Sequence, residues 1–258
     1  HTRPWERRRI LSIATLKGGV GKSTTAMMIA DALSLYHRDR VVLVDLAPQA
    51  SVSRMVLSFR GMRDSDLSGK TLTRWVERAT NGGSADLFSI LEPNATGLKE
   101  VERAFLVADG AVHGGLGIIP ATPKLWFAER AFDHANFDRD NPSAARLRLA
   151  ERLREGLNSL GQGCDLVIFD CPPGFTTLAQ AALSLSDAIV SPMFEEQLSL
   201  WSLRTFRDFG MTETLNAWVP ERHRVLFTRV TKQGAESERT QLRSDVRAAG
   251  FLPLKAFI

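Results

Sequence analysis

Residues 10–36 read I-L-S-I-A-T-L-K-G-G-V-G-K-S-T-T-A-M-M-I-A-D-A-L-S-L-Y, and three regimes follow one another within them. Ile10 to Thr15 is a short apolar run of the buried-strand type. From Thr24 onward Met27, Met28, Ala30, Leu33 and Leu35 recur at helical spacing, which predicts a helix running to Tyr36. Between the two, Gly18, Gly19 and Gly21 surround Val20 and remove the Cβ atoms that would hold main-chain N–H groups away from a phosphate. Lys22 then stands where it can reach β/γ-phosphates, and Ser23 where its hydroxyl can ligate Mg²⁺, at the positive end of the helix. The sequence departs from the G-x-x-x-x-G-K-[ST] phosphate-loop pattern at Leu16, where the first glycine belongs. A second lysine, Lys17, directly precedes the glycine pair.

Outward from this unit, further strands are expected at Arg40–Leu46, Gly117–Pro120, Cys164–Asp170, Asp187–Ser191 and Arg224–Thr228. Helices are expected at Leu72–Ala79, Leu98–Leu106, from Pro142 through the A-A-R-L-R-L-A-E-R-L-R-E-G-L run, at about Ser199–Phe209 and at Glu236–Ala249. Residues 53–115 read as helices and turns at one edge of a sheet, with G-M-R-D-S-D-L-S-G-K and T-N-G-G-S as loops. Strands alternating with helical patterns imply βαβ units with right-handed crossovers. The expected fold is therefore α/β: a doubly wound, mostly parallel sheet with helices on both faces and ligand at the carboxyl ends of the strands. Residues 1–9 read as a flexible basic leader and residues 10–258 as one nucleotide-binding domain.

A chain of 258 residues with 44% hydrophobic content can bury a substantial core. No apolar run approaches the roughly 18–20 residues that cross a bilayer, and the N-terminus lacks the apolar stretch of a signal peptide. The two cysteines, Cys164 and Cys171, form no C-x-x-C pair and suggest a reducing compartment. Net charge is +4, distributed as +3 over residues 1–10, −3 over 11–200 and +4 over 201–258. Positive charge at the two ends suits an acidic polymer or an anionic surface.

Three strand ends converge on one chemistry: the phosphate loop, Asp45 and Asp170. Phosphoryl transfer needs phosphates held, charge neutralised and a water aligned. Asp170, after V-I-F, fits the acid that holds Mg²⁺ through its water shell.

The loop K-G-G-V-G-K-S-T resembles the deviant phosphate loop of the ParA/MinD ATPases, which are SIMIBI-type phosphate-loop NTPases. The resemblance extends to V-D-L-A-P-Q-A, similar to that family's V-D-x-D-P-Q-G, and to V-I-F-D-C-P-P-G, similar to I-I-D-x-P-P. G-L-G-I-I-P-A-T-P, S-D-A-I-V-S-P-M-F and V-L-F-T-R-V carry it on to about Val230. It implies that Lys17 crosses a dimer interface to the nucleotide of the other subunit. It implies that Lys22, Ser23 and Thr24 bind phosphate and Mg²⁺, that Asp45 is an acid near the metal, and that Thr228 and Pro192 neighbour the base or the loop that contacts it. Where the family places the aspartate that aims the attacking water, this chain has Ala47. A methyl group cannot accept a proton, so hydrolysis is expected to be impaired. ATP is favoured over GTP because no N-K-x-D occurs.

The same resemblance implies an ATP-bound homodimer on nonspecific DNA, a ParB-like or adaptor protein that stimulates hydrolysis, no membrane partner, and a cytoplasmic, nucleoid-associated location. Arg204 and Arg207 share one predicted helix face, and Arg239, Arg243 and Arg247 another. Both suit phosphate-dominated binding. A MinD-like membrane-associated ATPase, a nucleotide-gated scaffold without DNA and a metallo-reductase are the other classes considered. The short leader leaves no room for an operator-reading helix-turn-helix.

Overall fold

The computed structural model describes residues 9–93, 115–161, 164–215, 219–229 and 236–257. The expected helix Leu98–Leu106 and the leader up to residue 8 lie outside them. Strand β1 (Arg9–Ile13) leads through the glycine loop into α1 (Lys22–Tyr36), and β2 (Arg40–Asp45) follows. Helices α2 (Ser51–Leu67) and α3 (Leu72–Thr80) come next, then the two-residue β3 (Glu92–Pro93) and β4 (Gly115–Ile119). After α4 (Leu125–Ala135) and α5 (Ala144–Ser159), β5 (Leu166–Asp170), α6 (Thr177–Leu185) and β6 (Ala188–Phe194) return the chain to the sheet. Helix α7 (Gln197–Thr205) continues into a π-helical segment, Phe206–Thr214, before β7 (His223–Thr228), α8 (Glu236–Ala248) and β8 (Leu252–Phe257).

The strands form one sheet in the order β3-β4-β2-β5-β1-β6-β7-β8. Every neighbouring pair is parallel except the edge pair β3·β4. Strand β1 lies between β5 and β6, so the chain builds to one side through β2 and to the other through β7. Strands covered on both faces must be apolar throughout, which is why R-V-V-L-V-D and L-V-I-F-D are nearly continuous apolar runs. Successive residues nonetheless serve opposite layers. Val41 and Leu43 pack with Ala26 and Ala30 of α1 and Val52 and Val56 of α2. Val42 and Val44 pack with Trp75, Phe132, Leu153 and Leu178 on the other face. A third cluster, Met193, Leu203, Phe227, Val246 and Phe251, seats α7 and α8 on the β6–β7 side.

The expected strands lie in the sheet, with ends shifted by up to three residues. The expected loop at 61–70 is a correction, because Gly61 to Leu67 forms the second half of α2. That helix is kinked at Ser58, whose φ of 59° and ψ of 174° are not helical. Helices α4 and α6 and strand β8 are additions to the sequence-derived outline.

Candidate functional site

The carboxyl ends of β1, β2, β5, β6 and β7 open into a cleft of about 520 Å³. Its walls are residues 18–25 of the loop and α1, with Ala47, Gln49, Ser51 and Met55 on one side. Cys171, Pro172 and Pro173 after β5, Phe194 at the end of β6, and Thr228 and Arg229 after β7 complete it. The loop turns through left-handed conformations at Gly19 (φ 74°) and Gly21 (φ 89°), which an L side chain rarely adopts. Gly21 is also the residue from which α1 starts, and its carbonyl accepts from the Thr25 N–H at 2.8 Å. The free N–H groups of the first helical turn therefore face the cleft region.

Lys22 is buried, and its ammonium donates to the main-chain carbonyl of Lys17 at 2.8 Å. Burial lowers its pKa, and the nearby Asp170 offsets this in part. Lys17 is held within its own chain. Its ammonium pairs with the Glu196 carboxylate, donates to Ser199 Oγ at 3.2 Å and lies 5.4 Å from the centre of the Phe194 ring. The Glu196 carboxyl is held below its ordinary range by that lysine and by the Ser199 hydroxyl.

Asp45 and Asp170 end adjacent strands and are paired in register. Asp45 is fully buried and already engaged: Oδ1 accepts from Ala47 N at 3.0 Å, and Oδ2 from Ser53 N at 3.0 Å and Ser53 Oγ at 2.6 Å. This carboxylate fastens the start of α2 and lies beside Asp170. Asp170 is the opposite case. Both of its oxygens are buried without a well-formed hydrogen bond, though the Ser23 hydroxyl is near enough to favour its ionised form. Burial first, and the Asp45 charge second, push its pKa up to about 7. A buried carboxylate left in want of a partner, beside a serine hydroxyl at the mouth of a phosphate loop, fits a hard divalent cation. Among the described residues there is no cluster of three or more His, Cys, Asp or Glu that could hold a metal unaided. Phosphate oxygens and water would have to supply the remaining positions for Mg²⁺.

Ala47 lines the cleft, where its methyl group offers no polar atom. Ala50, which follows it in the A-P-Q-A turn, sits at φ 51°, a left-handed position that costs an alanine about 1 kcal/mol. Thr228 reaches the cleft and donates to Val20 O at 3.0 Å, tying the end of β7 to the glycine loop. Pro192 lies buried inside β6 and is not among the lining residues. Phe194 and Arg229 line the cleft at the ends of β6 and β7, with the Arg229 guanidinium 5.1 Å from the Phe194 ring centre. No sequence signal separated Phe194 from Pro192, because residues 189–193 of β6 are all buried and Pro192 and Phe194 fall on the same face of the strand. Cys171 borders the cleft but is buried, and burial pushes its thiol up to about 12; Cys164 is buried too. Neither thiol suits a shared cluster.

The arginines divide into two groups. Arg207 is spent on Asp208, on the Ala249 carbonyl and on the Phe251 ring. Arg243 donates to Glu195 Oε1 at 2.8 and 3.1 Å and covers the Phe227 ring. Arg204 and Arg247 are exposed, and the side chain of Arg239 lies outside the described residues. The structure therefore does not present the expected stripe as one free face.

A glycine loop at the carboxyl end of a central parallel strand, feeding a helix and flanked by a strand-end acid, defines a phosphate-loop nucleotide-binding protein. Residues 8–212 match a family described as an AAA domain. The ParA chromosome partitioning protein of Myxococcus xanthus is 30% identical over 195 residues, covering 76% of this chain and 55% of that protein. A Borrelia burgdorferi plasmid partition protein bound to AMPPNP superposes with a TM-score of 0.66 at 21% identity, over 98% of this chain and 85% of that one. An aspartate-to-alanine variant of Cyanothece McdA in complex with ATP gives a TM-score of 0.65 at 20% identity, over 94% and 79%. The chain belongs to the ParA-type family of phosphate-loop ATPases. It spans about half to three-fifths of the length of the curated relatives it matches.

Proposed function

We propose that this chain binds ATP and Mg²⁺ in the cleft, pairs with a second copy across the bound nucleotides, and in that state holds nonspecific DNA while positioning a DNA or protein cargo. The observation that carries the proposal is the unpartnered, buried Asp170 carboxylate beside Ser23, at a loop whose lysine has only a main-chain carbonyl to bond. Gly18 to Thr24 would wrap the phosphates, Lys22 would exchange the Lys17 carbonyl for phosphate oxygen, and Ser23 and Asp170 would hold Mg²⁺. Bound Mg²⁺ would neutralise charge on the triphosphate. Lys17 would leave Glu196 to reach the partner's nucleotide. Thr228, Phe194 and Arg229 would bound the base.

Ala47 supplies no base, so turnover would be slow and the ATP-bound pair long-lived. The Cyanothece protein, captured with ATP as an aspartate-to-alanine variant, is consistent with that outcome. A ParB-like or adaptor protein would stimulate what hydrolysis remains, and the working location would be the nucleoid. No described helix is long and apolar enough to cross a membrane.

Sedimentation velocity with and without ATP–Mg²⁺, and then with added DNA, tests the proposal. A monomer that becomes a dimer only with ATP–Mg²⁺, and co-sediments with DNA only then, is expected. An unchanged monomer at saturating nucleotide would overturn the dimer, and DNA binding indifferent to nucleotide would overturn the gate.

A further inference from the structure

The segment after α7 is π-helical from Phe206 to Thr214, and its end is marked by an i→i+5 bond from Leu215 N–H to the Gly210 carbonyl at 3.1 Å. Such windings are rare and concentrate at functional sites. This one has a visitor. A Cβ built on Gly210 would overlap the edge of the Phe175 ring at Cζ, Cε1 and Cε2. Phe175 therefore occupies the space that only glycine leaves at position 210. Its ring also stacks on Phe206, the first residue of the segment, at 5.1 Å and 18°.

Phe175 belongs to the loop that leaves Asp170. Between the two, Cys171, Pro172 and Pro173 line the cleft, and Gly174 turns the chain at φ 102°. The two prolines stiffen this short span, so displacement at the cleft is passed on rather than absorbed. Beyond the ring, Phe206 meets His223 edge-on at 5.6 Å, and His223 shares a 2.7 Å hydrogen bond with Ser191. Ser191 in turn donates to the carbonyl of Ala14, immediately before the phosphate loop. Both walls of the nucleotide cleft thus reach the same π-helical turn.

We infer that the seating of Phe175 on Gly210 couples nucleotide occupancy of the cleft to the winding of residues 206–214. The inference rests on the proposed nucleotide site and adds to it a regulated element. A π turn holds one residue more than an α turn. Relaxing it to α geometry rotates the residues on one side of it by about 100° relative to the other. The exposed Phe209 would be re-aimed, and the anchorage of Arg207 on Ala249 would change. This is a two-state element of the kind that can carry coupling between sites.

Hydrogen–deuterium exchange of amides 206–214, with and without AMPPNP–Mg²⁺, is the test, run alongside direct measurement of AMPPNP affinity. In the unmodified chain AMPPNP–Mg²⁺ should change exchange in this segment by about fivefold or more, the scale of an ordinary coupling between sites. Phe175→Leu should bind AMPPNP within about twofold of the unmodified chain, yet lose that response. Gly210→Ala should alter exchange there without nucleotide, and adding Phe175→Ala should restore the original pattern by removing the overlapping ring. A full response in Phe175→Leu would overturn the coupling. So would tight nucleotide binding with no response in the unmodified chain. Failure of the unmodified chain to bind AMPPNP at all would instead overturn the nucleotide site on which the inference stands.

Discussion

The Lys22 ammonium donates to the carbonyl of Lys17, so the loop's phosphate-binding cation is satisfied by the loop itself. Lys17 is satisfied in turn by Glu196, at the entry to α7. The two lysines are thus restrained in different ways. One is bonded to a neutral carbonyl that a phosphate can outcompete, and the other to a carboxylate on a separate element.

That difference predicts separable losses. Lys22→Ala should abolish nucleotide binding, weakening it about a hundredfold or more, because a charged donor to phosphate is removed from a partly dehydrated site. Lys17→Ala should leave monomer affinity for fluorescent ATP nearly unchanged and remove ATP-dependent dimerisation. Titrations paired with sedimentation read both quantities.

Ala47 has a sharper consequence. Ala47→Asp places a carboxylate in the cleft wall, where a water could be aligned, and should raise ATP turnover by about 10²-fold or more. Phosphate release under single-turnover conditions measures it. An unchanged rate would mean that the methyl group is not what limits hydrolysis.

Substituting the arginines should separate binding from stability. Arg204→Ala with Arg247→Ala should weaken DNA binding and lower its dependence on salt by about one released ion per arginine, with little change in melting temperature. Arg243→Ala should instead lower the melting temperature, since it removes the guanidinium paired with Glu195, whose side chain is only 8% exposed, and uncovers Phe227. Filter binding across a salt series and thermal melts give the two readouts.

Two buried groups should tilt the stability–pH profile in opposite directions. Burial lowers the pKa of His223 to about 3, so the unfolded chain takes up the proton first, and stability falls as pH drops below about 6.5. Burial and the neighbouring Asp45 raise the pKa of Asp170 to about 7. The folded state therefore holds its proton first, and stability falls as pH rises from about 4 to 7. In denaturant titrations between about pH 5 and 6.5, His223→Gln should make stability fall more steeply with rising pH, and Asp170→Asn should flatten or reverse that fall. Added Mg²⁺ and ATP should remove the Asp170 contribution, because a bound cation favours its ionised form.

How far the sequence disclosed this molecule depends on where each determinant lies. Strands β1, β2 and β5 were legible because each is sheathed on both faces and must be apolar along its length. The second half of α2 was not, because Gly61 and the S-D-L-S-G run carry the marks of a turn while tertiary packing keeps it helical. The phosphate loop was legible because its chemistry is local, glycines and a lysine within a few residues. The engagement of Asp45 by Ser53 and of Arg243 by Glu195 was not, since the partners are 8 and 48 residues apart and only the folded chain brings them together. The same holds for Phe175 on Gly210, where the sequence shows merely an aromatic residue and a glycine.

Strand β1, which holds the glycine loop in place, pairs with β5 and β6, beginning with Arg9 beside Leu166 and including Ile13 beside Val190. During synthesis these residues therefore wait for neighbours made more than 150 residues later. The loop can be translated early yet cannot be held in its nucleotide-ready shape until β6 has emerged. Retention of nascent chains on an ATP resin should accordingly begin only after β6 clears the exit tunnel.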